Sequence, residues 1–349
     1  MRIPATTLGR LALVVPGLLV LAFLLWWRGP EWSQVGDAFR LVEWRWVSMA
    51  LGLNLLSVLI RAAAWQTVIK QALLPPRLSF SHLFSAFSVG LLANAVLPGR
   101  IGELARVAVL ARRVQRGEGV TGRLLGTVFA HRLFDVVPAL LLTAFVLATA
   151  RVPRWAVTSL EIVAVIGVAL FLLAILVAGR ELRPLPESAL AIRRLLAMAQ
   201  RGLHVMREPK AAVLAAFLQT AGWFVQLLAV WAMMKAFGIG APLSAAAVVL
   251  LLMNVATIFP LWPGNIGLLQ AVVALPLVSY GVAYPTGLAF GLGLQVLEMS
   301  VGVGIGLLFL TREGLSFTML RQMPDEASEE SAAPDVLREE PRARAGVSG

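Results

Sequence analysis

Two stretches decide how this chain folds: NAVLPGRIGELAR at residues 94–106 and PLWPGNIGLLQAV at residues 260–272. Each places Pro-Gly inside a long apolar region. Proline has no N–H to donate and glycine frees the chain to turn, so a helix is interrupted at both places. In hydrocarbon such a break persists only where protein or water surrounds it. The stretches therefore predict two broken membrane helices, the alternative being an ordinary loop between two spans at each Pro-Gly.

An internal repeat relates the two breaks. At an offset of 165 residues, Pro-Gly-x-Ile-Gly-x-Leu-x-x-Val at 98–107 falls without a gap on the same pattern at 263–272. Secondary transporters often consist of two such repeats inserted in opposite directions, with the substrate site between the broken helices. We predict broken segments at 79–113 and 243–281, within repeat halves at about 79–149 and 243–312.

The composition is that of a protein dissolved in lipid. The 349 residues are 59% hydrophobic and only 14% charged, whereas soluble domains carry about 25% charged residues. A membrane-spanning helix needs about 20 apolar residues. We predict an all-α integral membrane protein with about six full spans and two broken or re-entrant hairpins in an inverted repeat. The predicted spans are 11–27, 46–69, 124–149, 155–178, 211–237 and 285–311.

The positive charges predict the topology. Of the 30 Lys and Arg residues, twenty fall in the proposed inside segments and six in the proposed outside segments. The positive-inside rule then places both termini in the cytoplasm, and nucleic acid is not an expected partner. Three crossings separate the breaks, so the repeats should be opposite in orientation. We predict a membrane domain at 1–312, an amphipathic surface segment at 180–209, a short interfacial segment at 31–45 and a disordered cytoplasmic tail at 313–349.

The residues available for catalysis are few. The chain has no cysteine and only three histidines, His82, His131 and His204, which are far apart in sequence. Disulfides, thiol chemistry and a Cys- or His-based metal site are therefore not expected, and no cofactor is predicted. No Asp-rich metal motif is visible either. We expect a protein that is not an enzyme.

Four arginines, Arg61, Arg100, Arg106 and Arg132, fall at membrane depth. Each costs roughly 2.5–3.5 kcal/mol at a helix centre, so it should pair with an acid or line a polar cavity. For Arg61 the sequence favours a side chain that extends to the membrane interface.

The acids at membrane depth are placed to pair with those arginines. Glu103 lies three residues from Arg106, and Asp135 lies three residues from Arg132, so each pair can share a helix face. Glu298 is isolated beside Gln295 and needs a partner from another helix. We predict a cavity of net positive charge between the repeats, although these pairs could merely neutralise each other.

The motifs resemble a known family. NAVLPGRIGELAR at 94–106, GTVFAHRLFD at 126–135 and PLWPGNIGLLQAV at 260–272 are similar to those of the flippase-like transmembrane family, which includes the membrane domain of lysylphosphatidylglycerol synthase. The resemblance spans roughly residues 10–315 and implies movement of a polar-headed lipid between leaflets of the cell membrane. Together with the charges and breaks described above, the motifs predict these substrate-binding residues: Asn94, Pro98, Arg100, Glu103, Arg106, Arg132, Asp135, Pro263, Gly264, Asn265, Gln270 and Glu298.

The resemblance also has limits. Many relatives carry Glu where this chain has Gln270, which weakens a proposal that needs a carboxylate there, such as proton coupling. The polar tail at 313–349 is too short to form the aminoacyl-transferase domain of the synthase, so lysyl transfer by these residues is not expected. The implied partner is a membrane lipid: a phospholipid, an isoprenoid phosphate or a glycolipid.

Two other functions are open at this point. The chain could be a non-catalytic membrane partner that recruits a cytoplasmic lipid-modifying or glycosyl-transferring enzyme through the basic segment at 180–210. It could also be a membrane-embedded transferase acting on a polyprenyl phosphate, for which Glu103 and His131 are the available residues.

Overall fold

The fold is built from α-helices. A computed structural model describes residues 31–72, 78–97, 101–114, 120–150, 154–178, 208–257, 265, 267–316 and 319, and these contain no strand. The helices are α1 (Trp32–Arg40), α2 (Trp44–Ala72), α3 (Phe80–Val96), α4 (Gly102–Ala111), α5 (Val120–Phe134), α6 (Val136–Thr149), α7 (Arg154–Ala178), α8 (Pro209–Ala236), α9 (Leu243–Ala256), α10 (Leu268–Val278) and α11 (Tyr284–Arg312).

Four helical segments are long and apolar enough to cross a membrane: α2, the nearly continuous α5–α6, α8 and α11. They match four of the six predicted spans, and α7 covers a fifth. Their outward faces carry exposed apolar side chains, such as Leu56, Phe217 and Leu308. Since lipid tails are as apolar as these side chains, this is the expected surface of a helical membrane protein. The all-α membrane class predicted from the sequence is confirmed.

Both predicted breaks separate two packed helices. The first lies between α3 and α4, and the second lies between α9 and α10. The second arms, α4 and α10, have 10 and 11 residues, so each is about 15 Å long and covers about half of a hydrocarbon core. Each pair is therefore a helical hairpin rather than two spans.

The first hairpin closes through a backbone contact. The Asn94 carbonyl Oδ1 accepts a hydrogen bond of 2.8 Å from the Gly102 N–H, which is the first residue of α4. A Cβ atom on Gly102 would lie 2.1 Å from the Gly90 carbonyl oxygen, so no larger residue fits between the two arms. Asn94 thus satisfies a helix-start donor that would otherwise be unpaired inside the membrane.

The second hairpin closes in a similar way. Gly267, at φ +92°, precedes α10 and donates its N–H to the Gln270 side-chain oxygen at 2.5 Å. That φ favours glycine. Asn265 donates its side-chain Nδ2 to the Ala256 carbonyl at 3.3 Å, which ties the break to the end of α9. Side-chain amides therefore satisfy backbone groups at both breaks.

The hairpins enter from opposite ends of the molecule. Glu313, just after α11, accepts hydrogen bonds from Ser85 in α3 and from Arg113 just after α4, at 2.7 and 2.8 Å. The first hairpin therefore begins and ends beside the last residue of α11. Near the first residue of α11, one surface cleft is lined by Ser244 at the start of α9 and by Tyr280 just after α10. Because α11 spans the molecule, the hairpins form an inverted pair.

The repeat is longer than the sequence motifs show. The offset of 165 carries the start of α2 at 44 to 209, where α8 begins, and carries the start of α5 at 120 to 285, one residue inside α11. One repeat is α2–α6, and the other is α8–α11. The Ser57 hydroxyl donates to the Gly222 carbonyl at 2.8 Å, and these residues are themselves 165 apart. Equivalent residues contact each other only beside the axis that relates two repeats, so this axis passes between α2 and α8.

Several expectations fall outside the described residues: the span at 11–27, nearly all of the segment at 180–209, and most of the tail. The predicted interfacial segment at 31–45 contains α1, whose Phe39 ring packs edge-on against Phe237 at 5.4 Å. The packed structure continues slightly past the predicted start of the tail, since Leu315 is buried.

Gly102→Ala should destabilise the protein, because its Cβ meets the Gly90 carbonyl and typical overpacking costs about 1–3 kcal/mol. Gly52→Ala is the control, since nothing lies within 4 Å of a Cβ at that position in α2. Heating in detergent, followed by measurement of the folded fraction by size-exclusion chromatography, should show loss only for Gly102→Ala. Equal behaviour of the two variants would contradict the close approach of α3 and α4.

Glu313→Gln should lower the thermal stability of the protein by an amount that depends on pH. Burial alone would raise the pKa of Glu313, but hydrogen bonds from Arg113 and Ser85 outweigh burial and lower it below its ordinary value of 4.5. Its contribution is therefore present above about pH 4.5 and is lost as the pH falls through the folded pKa. Thermal stability of the variant should lie below wild type at neutral pH, and the two should converge in acid. A constant difference at every pH would contradict the pairing.

Candidate functional site

A cavity of about 330 Å³ lies between the two repeats. Its polar lining comes from both of them. The first repeat contributes Asn54, Arg61, Asn94, Glu103, Arg106 and Arg132, and the second contributes Gln226, Asn254, Asn265, Gln295 and Glu298.

The cavity lies at the middle of the long helices. Glu298 is the central residue of α11, with fourteen residues on either side, and Arg61 is three residues past the centre of α2. Arg132 is likewise close to the centre of the segment formed by α5 and α6. A helix of 29 residues is about 43 Å long, so its centre lies near the membrane midplane. The polar groups therefore face one another deep in the bilayer.

Glu103 holds two arginines together. Its carboxylate pairs with Arg106 at 2.6 Å and with Arg132, whose Nε also donates to it at 3.0 Å. The Glu103–Arg106 pair predicted from their spacing is present. The Arg132 side chain is 46% exposed, while the Arg106 side chain is 4% exposed. Arg132 is therefore the guanidinium more open to the cavity.

Arg106 packs against two aromatic rings that also contact each other. Its guanidinium carbon lies 4.6 Å from the centre of the Trp65 ring and 5.5 Å from that of Phe87. Trp65 is itself fixed, since its Nε1 donates to the Thr127 hydroxyl at 3.2 Å. Cation–π contacts of this kind are strongest when the cation is removed from water. Arg106 Nε is buried without a hydrogen-bond acceptor among the described residues, so a ligand oxygen could still bind there.

Asp135 lies next to the cavity without lining it, and four side chains donate to its carboxylate. It pairs with Arg61 at 3.4 Å and with Arg132 at 3.3 Å, and it accepts hydrogen bonds from Trp223 Nε1 at 2.8 Å and from Gln219. The pairing with Arg132 agrees with their spacing in the sequence. Since Asp135 does not line the cavity, its contact with a substrate stays a prediction, and its observed contacts are those of a residue that positions Arg61 and Arg132.

His131 joins the same network. It is buried, its Nε2 lies 3.1 Å from the Arg61 carbonyl oxygen, and its ring packs edge-on against Phe87. Within the described residues no three histidine or acidic side chains are grouped as a metal site would need. His131, on α5, thus contacts Arg61 of α2 and Phe87 of α3.

Glu298 finds its partner on α8. Gln226 Nε2 donates to its Oε1 at 3.2 Å, and no ion pair to Glu298 is present within the described residues. Nearby, the Gln270 side chain donates to Gln295, one helical turn before Glu298. Gln270 thus supports the second hairpin and does not itself line the cavity.

The structure brings six of the predicted site residues to one cavity: Asn94, Glu103, Arg106, Arg132, Asn265 and Glu298. Pro98, Arg100, Pro263 and Gly264 lie outside the described residues. Three guanidinium and two carboxylate groups line the described part of the cavity, and Asp135 behind it pairs with two of the arginines. The expected net positive charge therefore stays a prediction.

The expectation for Arg61 was wrong. Its side chain does not extend to the interface but pairs with Asp135 and lines the cavity, because α2 packs against α8 and places Arg61 inside the protein. Gln226 and Asn254 line the cavity too, although no motif in the sequence points to them. The offset of 165 would have found Gln226, which is the counterpart of Arg61 in the second repeat. Asn254 has the same place in α9 as Asn94 has in α3, two residues before the last.

The fold and the cavity define a polytopic α-helical membrane protein with two inverted helical hairpins. The sequence pattern of the lysylphosphatidylglycerol synthase transmembrane region matches residues 11–306, and this chain belongs to that family. A protein of Pyrococcus horikoshii described as a UPF0104 membrane protein is similar, with 27% identity over 171 residues, which is 48% of this chain and 50% of the relative. The match thus spans half the length of that relative. No solved structure matches the chain.

Asp135→Asn should destabilise the protein strongly. Removing one partner of a buried ion pair typically costs about 3–5 kcal/mol, and Asp135 neutralises both Arg61 and Arg132. The control is Asp37→Asn, which removes an exposed pair with Arg40 and should cost about 1 kcal/mol or less. Unfolding of both variants in detergent would be followed by tryptophan fluorescence.

The double variant Arg61→Gln with Asp135→Asn tests the pairing directly. It should be less damaged than the sum of the two single variants, because neither change then leaves an unpaired charge. Strict additivity would show that the Arg61–Asp135 pair does not carry the effect.

Proposed function

We propose that this protein moves an anionic lipid headgroup across the membrane, without altering the lipid chemically. The observation that carries the proposal is the group of three arginines at mid-membrane depth, in one cavity, between hairpins inserted from opposite ends. A phosphate group in hydrocarbon would lose its hydration at a large cost. Guanidinium groups replace that hydration, since they bind phosphate oxygens through paired hydrogen bonds.

Arg132 is the arginine best placed to receive a phosphate. Its side chain is about half exposed and pairs with the carboxylates of Glu103 and Asp135. A phosphate can therefore take the place of one of these carboxylates on Arg132. Arg106 packs against Trp65 and Phe87 and supplies a buried charge beside it. The site thus combines a half-exposed and a buried guanidinium.

The lipid tails need not enter the cavity. Met299 lines the cavity and is exposed, and Val296 and Ser300 beside it on α11 are exposed as well. These neighbours support an opening of the cavity towards the lipid-facing surface near the helix centre. A cavity of about 330 Å³ suits a headgroup, while the tails remain in the surrounding bilayer. This geometry supports passage of the headgroup through protein with the acyl or isoprenyl chains in lipid.

The family supports the same proposal, because its name places this region in a synthase of a phospholipid. We propose the cell membrane as the location, with the end that carries Arg112, Arg113 and Arg312 facing the cytoplasm, in keeping with the positive-inside rule.

Arg132→Gln should slow lipid movement by roughly tenfold or more, because one charge-assisted hydrogen-bonding group is worth about 1.5–3 kcal/mol. Proteoliposomes with fluorescent phosphatidylglycerol or a fluorescent isoprenyl phosphate would be treated with dithionite, which bleaches only the outer leaflet. The wild type should bleach beyond half of the signal. Arg45→Gln is the matched control, since Arg45 is an exposed residue at the start of α2, far from the cavity in the middle of that helix.

Bleaching that stops at half with every anionic lipid, as in empty vesicles, would overturn the proposed function. Equal rates for Arg132→Gln and Arg45→Gln would instead remove Arg132 from the site.

A further inference from the structure

Each repeat has an acidic residue near the centre of its last helical segment, and the two acids have different partners. Arg61 and Gln226 are equivalent residues, 165 apart, on the first helix of each repeat. Each donates to an acid near the centre of the last helical segment of its own repeat: Arg61 to Asp135 at 3.4 Å, and Gln226 to Glu298 at 3.2 Å. The first repeat therefore has a cation where the second has a neutral amide.

Among the described residues, this difference leaves Glu298 with a hydrogen bond but no ion-pair partner. No ion pair to Glu298 is present within the described residues, although it lies at the centre of α11. Ionisable groups in such a position cost free energy when charged and commonly mark proton pathways. By contrast, Asp135 has two arginine partners.

The charged surroundings of Glu298 come from the first repeat. Of the elements packed around α11, α10 carries no charged residue. In α1, Asp37 and Arg40 pair with each other at the surface, and in α3 His82 is beside Ser79 at the helix start. In α8, Lys210 and Lys235 lie at the two ends of the helix. In the described part of the cavity, the charged or titratable groups beside Glu298 are Arg61, Glu103, Arg106, His131 and Arg132.

An ionised Glu298 and an anionic headgroup in the same cavity repel each other. The arginines of the first repeat attract the headgroup, but two of them, Arg106 and Arg132, already pair with Glu103, and Arg61 pairs with Asp135. Protonation of Glu298 is the change that removes a negative charge without breaking these pairs. Binding of the headgroup and binding of a proton at Glu298 therefore favour each other.

We infer that Glu298 binds a proton together with the anionic headgroup, so that lipid movement is coupled to proton movement in the same direction. This inference rests on the proposed function. One proton from the aqueous side of entry attaches to a Glu298 carboxylate oxygen and leaves to water on the other side as the headgroup departs. No covalent bond in the lipid is formed or broken. Gln226 is the positioning residue, since its amide donates to the Glu298 carboxyl group in the cavity.

Proton uptake on ligand binding tests the coupling without transport. Purified protein in weakly buffered detergent, with a pH-sensitive dye, would be titrated with dihexanoyl phosphatidylglycerol at several values from about pH 5 to 8. The wild type should take up a measurable fraction of a proton per chain, rising to about one where Glu298 is ionised before the lipid binds, and zwitterionic dihexanoyl phosphatidylcholine should cause no uptake. Glu298→Gln should abolish uptake. Glu161→Gln, the same change on the exposed face of α7, should retain it.

A pH gradient tests the coupling in vesicles. With fluorescent phosphatidylglycerol, net movement by the wild type should be faster towards the alkaline side than against the gradient, by about fivefold or more, as a coupling of ordinary strength would give. Glu298→Gln should lose this response to the gradient, whatever its rate, while Glu161→Gln should keep it.

The outcomes separate the two hypotheses. Lipid movement that ignores the gradient, with no proton uptake in detergent, overturns the coupling and leaves the proposed function in place. Proton uptake that persists in Glu298→Gln overturns the role of Glu298. A wild type that moves no lipid overturns the proposed function and, with it, this inference.

Discussion

The structure depends on the neutralisation of three arginines near the membrane midplane. Each guanidinium would be too costly there without a partner, and each has one: Arg61 pairs with Asp135, Arg106 with Glu103, and Arg132 with both acids. These pairs connect α2, α4 and α5, so the charges that make the cavity polar also fix the helices that form it. The cavity is a consequence of this network as much as of the hairpins.

Much of the architecture was predictable because two of its causes are local. Pro-Gly inside an apolar run interrupts a helix wherever it occurs, and the spacing of Glu103 and Arg106 puts them on one helix face. The contacts between helices were not predictable in this way. The partners of Asp135 on α8, Gln219 and Trp223, are more than 80 residues away, and nothing local in the sequence pairs them.

Arg61 shows why position within a helix is insufficient. From its sequence it is one charge in a long apolar helix, and a side chain of that length can usually reach the interface. The packing of the two repeats prevents this. α2 and α8 meet at the axis that relates the repeats, where Ser57 contacts Gly222. Arg61 and Gln226 lie one helical turn after these two residues. A residue so close to the axis faces protein. The offset of 165 residues between the two breaks also relates α2 to α8, although these helices share no sequence motif. Applied to α2 and α8, it would have predicted that Arg61 lies close to the axis.

The two repeats have similar backbones but place different charges on the two walls of the cavity. Two identical repeats would hold their central acids with the same partners, and an anionic ligand would meet the same charges on both sides. Here the first repeat carries the arginines, while the second carries amides and Glu298. A negatively charged headgroup is therefore attracted by one wall and repelled by the other. Any state that binds it tightly must remove the repulsion, and Glu298 is the group in the described cavity whose charge no ion pair already engages.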